Sequence, residues 1–303
     1  MKKKYKVGSR SSALALAQTN WVINEIKKNF PELEFEIIKF KTEGDMVINK
    51  ALYNFGGKGL FVKELEKAII KKEIDFAVNS MKDMPIVIPE ELCICAVSVR
   101  EDPRDVLILN QKKTLADLEY GATIGTSSLR RELQILSMRP DLKIKLLRGN
   151  ILTRLRKLYN KKYDGIIIAA AGLNRLGIKN LYCHYFNVKD MIPAPGQGIL
   201  GIEVLKGVDV SFLIKCLHNE TSALELKAER AFMSKLGADC NTPVGAYAYI
   251  EKDTLNLLGM YATKNSKQYI KSQICGNKND AELLGEKLAD EILNKISSVD
   301  KKF

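Results

Sequence analysis

This sequence predicts an α/β protein with mixed, mostly parallel sheets, followed by a small C-terminal α+β domain. Three observations carry that expectation. Short apolar runs alternate with amphipathic helical stretches through the first two-thirds of the chain, the pattern of βαβ units whose sheet is covered on both faces. Two breaks bearing proline, Arg100–Asp105 and Ile192–Gly198, interrupt that alternation. After residue 240 the pattern changes to three successive strands and one terminal helix. A chain of 303 residues exceeds one ordinary core. Domain 1 is expected over 1–98 and 194–216, domain 2 over 99–193 and domain 3 over 217–303.

Taken in order, Lys4 to Gly8 reads as a strand. Ser12 to Phe30 reads as a helix with apolar residues at 14, 16, 22, 23 and 26. Phe35 to Phe40 is a second strand, and Leu60 to Ile70 a helix with the inward stripe Phe61, Leu65, Ala68 and Ile69. Strands follow at Asp75 to Asn79 and Leu92 to Val97. Beyond the first break, strands are expected near 106–109, 123–126, 144–147 and 165–169, with helices near 128–138 and 150–160. After the second break come a strand at 199–205 and helices at 209–216 and from Glu220 to Leu236. Strands near 244–250, 255–262 and 268–275 and a helix from Ala281 to Ile296 complete the chain.

The net charge of +12 is unevenly placed. Residues 217–303 hold 12 basic and 12 acidic side chains, so the whole excess lies in residues 1–216, with 36 basic and 24 acidic. Between 123 and 157 the count is 9 basic against 2 acidic. Such density implies a polyanionic partner, unless it is a solvated face kept for solubility. Cys93, Cys95, Cys183, Cys216, Cys240 and Cys275 lack repeated CxxC spacing, and the two histidines, His184 and His218, pair with none at ligand spacing. No disulfide framework and no metal are therefore expected, and the compartment is read as a reducing cytoplasm. The longest apolar stretch, Ile166 to Ala171, is far short of a membrane span, and no secretory signal follows the basic start.

Candidate chemistry collects at loop ends. The strand at 75–79 runs into Ser80-Met81-Lys82-Asp83-Met84-Pro85, where Pro85 stops the strand and leaves one ammonium and one carboxylate on a turn. Asp83 there suits acid–base work or the stabilisation of a cation; alone it would equally suit a solvated turn. Gly125-Thr126-Ser127-Ser128-Leu129-Arg130-Arg131 is a strand, a hydroxyl-rich turn and a helix start. Helix N-termini favour anions, so two arginines in a first turn oppose the dipole unless an anion lies against them. The construction recurs at Leu147-Arg148-Gly149-Asn150 with Arg154, and at Arg10-Ser11-Ser12. Three such turns indicate a cleft lined for carboxylates or phosphates, where the planar fork of Arg binds bidentately. Phe55-Gly56-Gly57-Lys58-Gly59-Leu60-Phe61 lacks the spacing of a P-loop and reads as a mobile flap or a plain flexible turn. Cys240, between Gly237 and Pro243, sits in a loop and suits covalent attachment.

These segments, with Arg100-Glu101-Asp102-Pro103-Arg104-Asp105, Ala169-Ala170-Ala171-Gly172-Leu173, Gly196-Gln197-Gly198 and Ala228-Glu229-Arg230, resemble the porphobilinogen deaminases from about residue 5 to 250. The resemblance implies three domains, the first two like periplasmic binding proteins. It implies a transferase that condenses four porphobilinogen units, with loss of ammonia, into hydroxymethylbilane for tetrapyrrole and haem synthesis. It also implies a dipyrromethane cofactor joined through a thioether to Cys240. Lys82, Thr126, Ser128, Arg130 and Arg131 would bind that cofactor, and Arg10, Ser12, Arg148, Arg154 and Gln197 the substrate. Asp83 would be catalytic and Lys58 would sit on the flap. A monomer, with no nucleic-acid and no membrane partner, is the family expectation. Asn79 stands where the family commonly has His, and Pro195 where a small aliphatic residue is usual.

That chemistry agrees with the charge pattern. Each porphobilinogen carries an acetate and a propionate, so every cycle adds two negative charges. An Arg–carboxylate contact at 4 Å attracts by roughly 4 kcal/mol when partly buried, against about 0–1 kcal/mol when exposed. A non-catalytic anion receptor of the same architecture is the main rival, and it needs neither Asp83 nor Cys240. Nucleic-acid binding is disfavoured because no aromatics interleave the basic residues.

Overall fold

The computed structural model describes residues 2–41, 62–111, 114–239, 242–263, 266 and 268–300. Lys58, Cys240 and the whole glycine-rich run, 55–61, with Phe61 of the expected helix stripe, lie outside the described residues. The chain forms two compact units, one of residues 1–101 and 198–223, the other of 102–197 and 224–303.

The first unit is a five-stranded sheet in the order β2-β1-β3-β10-β4. Its strands are β1 (Lys4–Arg10), β2 (Glu34–Phe40), β3 (Phe76–Ser80), β4 (Leu92–Val97) and β10 (Leu200–Leu205). Tyr5, Val7, Phe76, Val78, Ile202 and Val204 bury one face against α1 (Ala13–Asn29) and α6 (Ser211–Leu217). Leu65, Ala68 and Ile69 of α2 (Lys63–Ile70) cover Ala77 and Leu92 on the other. Each such fully buried aliphatic contributes about 1.5–3 kcal/mol. The inward face of α1 runs Ala15, Gln18, Thr19, Val22, Ile23 and Ile26, so Leu14 and Leu16 are not its buried stripe. Stepping back from Val22 by three and four residues lands on polar Gln18 and Thr19, which a purely apolar pattern passes over.

The second unit repeats the plan as β7-β6-β8-β5-β9. It uses β5 (Asp105–Leu109), β6 (Thr123–Gly125), β7 (Lys143–Lys145), β8 (Gly165–Ala169) and β9 (Tyr182–Tyr185). Leu107, Leu109, Ile124 and Ile167 pack against Ile135 of α3 (Leu129–Met138). Val106, Ile108, Ile166 and Ile168 pack against Leu155 and Leu158 of α4 (Ile151–Tyr159) and Leu173 of α5 (Ala170–Arg175). Strand β9 and helix α5 had no counterpart in the sequence reading, being only four and six residues long.

In each sheet four strands share one sense and a single strand runs against them. That strand is β10 in the first unit and β5 in the second, each antiparallel to both of its neighbours. The second unit also holds an antiparallel sheet of β11 (Val244–Glu251), β12 (Thr254–Tyr261) and β13 (Ile270–Asn277). Phe232 of α7 (Glu220–Lys235) and Leu288 of α8 (Ala281–Asp300) lie against Gly259 of β12. Glu229 of α7 is fully buried and accepts from the backbone N–H of Gly196 and of Ala248, at 2.6 and 2.8 Å, tying the second break to β11.

Candidate active site

In the first unit, β1 and β3 are parallel neighbours, so Arg10 and Ser80 end at the same edge of the sheet. Ser80 leads into a 3₁₀ turn, Met81–Asp83, anchored by the buried side chains of Met81 and Met84. Ser12 caps α1 there by accepting from the N–H of Ala15 at 3.2 Å. The result is a pocket lined by Arg10, Ser12, Gln18, Asn79, Ser80 and Asp83, with Leu14, Ala15, Val62 and Val78 as its apolar wall. Arg10, Ser12 and Asp83 are thereby brought together from two segments some seventy residues apart, at the strand ends where open α/β sheets bind ligands. Gln18 is buried and donates to Ser80 Oγ at 3.0 Å, so α1 fixes the residue at which the Met81–Asp83 turn begins.

Below this pocket lies an acidic pair that the sequence reading missed. Glu203 of β10 is fully buried, accepts from Asn79 Nδ2 at 3.0 Å and leaves its Oε1 without a hydrogen-bond partner. Burial and the nearby charge of Glu66 push Glu203 up to about 8, against the lowering effect of the Asn79 hydrogen bond. Burial raises Glu66 as well, and its Oε1 also lacks a partner. Asn79 is thus the polar contact of a buried carboxyl, which answers what the residue at that position does.

In the second unit, β6, β7 and β8 are parallel and their carboxyl ends carry the two arginine-bearing turns. Thr126 is buried, and its Oγ1 accepts from the N–H of Ser128 at 3.1 Å. Ser128 caps α3, accepting from the N–H of Arg131 at 3.4 Å. Arg130 and Arg131 are both buried, 4% and 7% exposed, and the anion that offsets the helix dipole is internal. Asp105 Oδ2 lies 2.8 Å from Arg130 Nη1 and its Oδ1 lies 2.7 Å from Arg131 Nη2. Strand β5 runs opposite to β8, so its first residue, Asp105, sits beside the last residue of β8, Ala169, at the arginine-bearing edge. Burial alone would raise the Asp105 carboxyl; the two guanidiniums outweigh it and hold it well below the usual carboxylate range. Gln197 donates to the same Oδ1 at 2.9 Å and to the carbonyl of Pro103 at 2.6 Å.

Arg148 and Arg154 sit on the following turn. Arg154 Nε donates to the carbonyl of Gly149 at 2.7 Å. Burial lowers Arg148, whose Nε is enclosed without a hydrogen-bond partner. Lys82 lies half-buried on the 3₁₀ turn. Cys240 lies outside the described residues, though its flanks are joined by Thr242 Oγ1 donating to Asp239 Oδ1 at 2.7 Å. Burial raises Cys93, Cys183 and Cys216 and pushes Cys95 up to about 12, which disfavours their thiolates. No cluster of three metal-ligating side chains, and no helix long and apolar enough to cross a membrane, occurs among the described residues.

Each unit thus presents anion-binding side chains at the carboxyl ends of parallel strands, and the first adds a carboxylate in its pocket. Strand ends of this kind are those of an α/β protein suited to anionic ligands. Comparison with known proteins narrows the class. Residues 5–211 match the porphobilinogen deaminase dipyromethane cofactor binding domain, and residues 223–294 match the porphobilinogen deaminase C-terminal domain. Porphobilinogen deaminase of Alkaliphilus metalliredigens is 44% identical over 96% of this chain and 92% of its own. That of Thermus thermophilus is 46% identical over 95% and 94%. Among solved structures, the periplasmic aliphatic sulphonate binding protein SsuA from Escherichia coli covers 77% of this chain and 70% of its own, at 13% identity and a TM-score of 0.41. The chain belongs to the porphobilinogen deaminase family.

Proposed function

We propose that this protein is a hydroxymethylbilane synthase, a transferase that joins four porphobilinogen units with loss of ammonia, and that it works as a cytoplasmic monomer. The convergence of Asp83, Arg10 and Ser12 in one pocket carries this reading. Arg10 pairs with a carboxylate of the incoming pyrrole, and Ser12 adds a hydroxyl donor. Asp83 holds its carboxylate at the aminomethyl group. As the C–N bond of the protonated aminomethyl group breaks, nitrogen leaves with the bonding pair as neutral ammonia, and the positive charge stays on the pyrrole left behind. The Asp83 carboxylate stabilises that cation in a setting partly closed to water, where charge interactions are strong.

The buried donors fit a cofactor that is itself an anion. Two guanidiniums face one Asp105 carboxylate, and the enclosed Nε atoms of Arg131 and Arg148 have no hydrogen-bond partner. Lys82, Thr126, Ser128, Arg130 and Arg131 would hold the dipyrromethane carboxylates, Arg148, Arg154 and Gln197 would serve the substrate, and Lys58 would belong to the flap. When bound through Cys240, the dipyrromethane supplies the free pyrrole carbon on which condensation starts.

The intact mass of the purified protein, beside that of Cys240→Ser, tests the reading. An excess of two porphobilinogen units less two ammonias, missing from the variant, is the expected result. A wild-type mass that stays unmodified after incubation with porphobilinogen or hydroxymethylbilane would overturn it in favour of an anion receptor.

A further inference from the structure

Asp105 is wholly buried at the first residue of β5, yet takes no part in the chemistry described above. Its Oδ1 accepts from Arg131 and Gln197, whereas its Oδ2 pairs with Arg130 by charge at 2.8 Å without a hydrogen bond. The arginines also bond the backbone: Arg130 Nη1, the nitrogen that faces Asp105, donates to the carbonyl of Ile192 at 2.6 Å, and Arg131 Nη1 to that of Ile167 at 3.0 Å. Gln134 closes the frame, donating to Ile192 O at 3.1 Å and accepting from Ile192 N–H at 2.7 Å. Each guanidinium is therefore held by both Asp105 and a backbone carbonyl. The three charges sum to one positive, and the buried Arg131 Nε retains an unused donor. An enclosed cation in excess, with a donor unspent, is a costly arrangement unless one further carboxylate completes it.

We infer that Asp105 is a positioning residue: it fixes the planes of Arg130 and Arg131 and leaves the pair one charge short, so that it accepts one carboxylate of the bound pyrrole chain. This rests on the reading that these arginines hold the cofactor. A solely structural ion pair predicts something different. Its loss would lower stability and slow loading only as much as any equally destabilising change.

The test is a double-mutant cycle on cofactor loading, read as the rate of mass gain when apoprotein is incubated with hydroxymethylbilane. The variants are Asp105→Asn, Arg131→Lys and both together, with Ile124→Ala of the buried β6 core as a stability control. Asp105→Asn is expected to slow loading at least tenfold, and to add less than twofold once Arg131 is lysine. Ile124→Ala, at a comparable or larger drop in thermal midpoint, is expected to load within twofold of wild type. Additive losses, or wild-type loading by Asp105→Asn while Arg131→Lys is impaired, would refute the positioning role alone. Wild-type loading by Arg131→Lys and by the double variant would sink the cofactor reading with it. Should Asp105→Asn fail to fold, Asp105→Glu, which keeps the charge and moves it by one methylene, takes its place in the cycle under the same criteria.

Discussion

Asp83 owes its position to neighbours that carry no charge. Met81 and Met84 bury their side chains on either side of Lys82 and Asp83, and the hydrogen bond from Gln18 to Ser80 fixes where the turn begins. Removing the carboxylate therefore leaves those anchors intact. Asp83→Ala is expected to keep the thermal midpoint within a few degrees of wild type and to lower turnover by about 10²–10⁴-fold, the usual worth of a positioned acid–base group. Turnover close to wild type would remove Asp83 from the mechanism. The residues around it show why one-residue arguments from sequence fall short. Asp83 stood out because a proline follows two positions on, whereas Gln18 and Asn79 looked like ordinary polar residues of a helix and a strand.

At the level of elements, the two reversed strands decide what the edges can do. Strand β5 delivers Asp105 to the arginine-bearing edge, and β10 delivers Glu203 beneath Asn79. Just before β10, Gly198 has φ +92°, and its carbonyl accepts from the N–H of Glu101 at 3.0 Å. A Cβ there would overlap the backbone carbonyl oxygen of Glu101. Both the backbone conformation and the contact demand glycine. Gly198→Ala is expected to cost at least about 2 kcal/mol in urea unfolding, from the strained φ together with displaced backbone. A loss below about 0.5 kcal/mol would show that these two segments yield easily.

Across the whole molecule, the buried acids set opposite pH responses. The Asp105 carboxyl is depressed by its guanidiniums, so its contribution is present above the usual aspartate range and is lost as pH falls below it. Glu203 is raised from 4.5 to about 8. Below pH 4.5 it is protonated folded or unfolded. Between 4.5 and 8 the folded chain keeps a proton that the unfolded chain releases, so stability falls as pH rises through that window. Glu203→Gln removes this term. The stability of that variant relative to wild type is expected to rise by on the order of a few kcal/mol from pH 5 to pH 9, read from urea midpoints. A pH-independent difference would show that Glu203 ionises without cost. Because Asn79 lines the pocket and holds Glu203, the pocket floor of the folded chain changes charge only as Glu203 ionises near pH 8.

Much of this could be read in the chain alone, because local chemistry fixes local structure. The 3.6- and 2-residue periodicities located the long helices and most strands, and Ser or Thr with Arg at three strand-to-helix turns marked the arginine-bearing edges. The boundaries of β4 and β8 agree with the sequence reading residue for residue. The tertiary structure alone decided which charges meet. Nothing local to Arg130 and Arg131 reveals that their counterion comes from a strand 25 residues earlier running the other way. Likewise, nothing local to Glu203 separates it from a solvated strand glutamate until β3 and α2 close over it. The reason is physical: periodicity and turn chemistry act over a few residues, whereas the state of a buried charge depends on what the fold brings within a few ångströms of it.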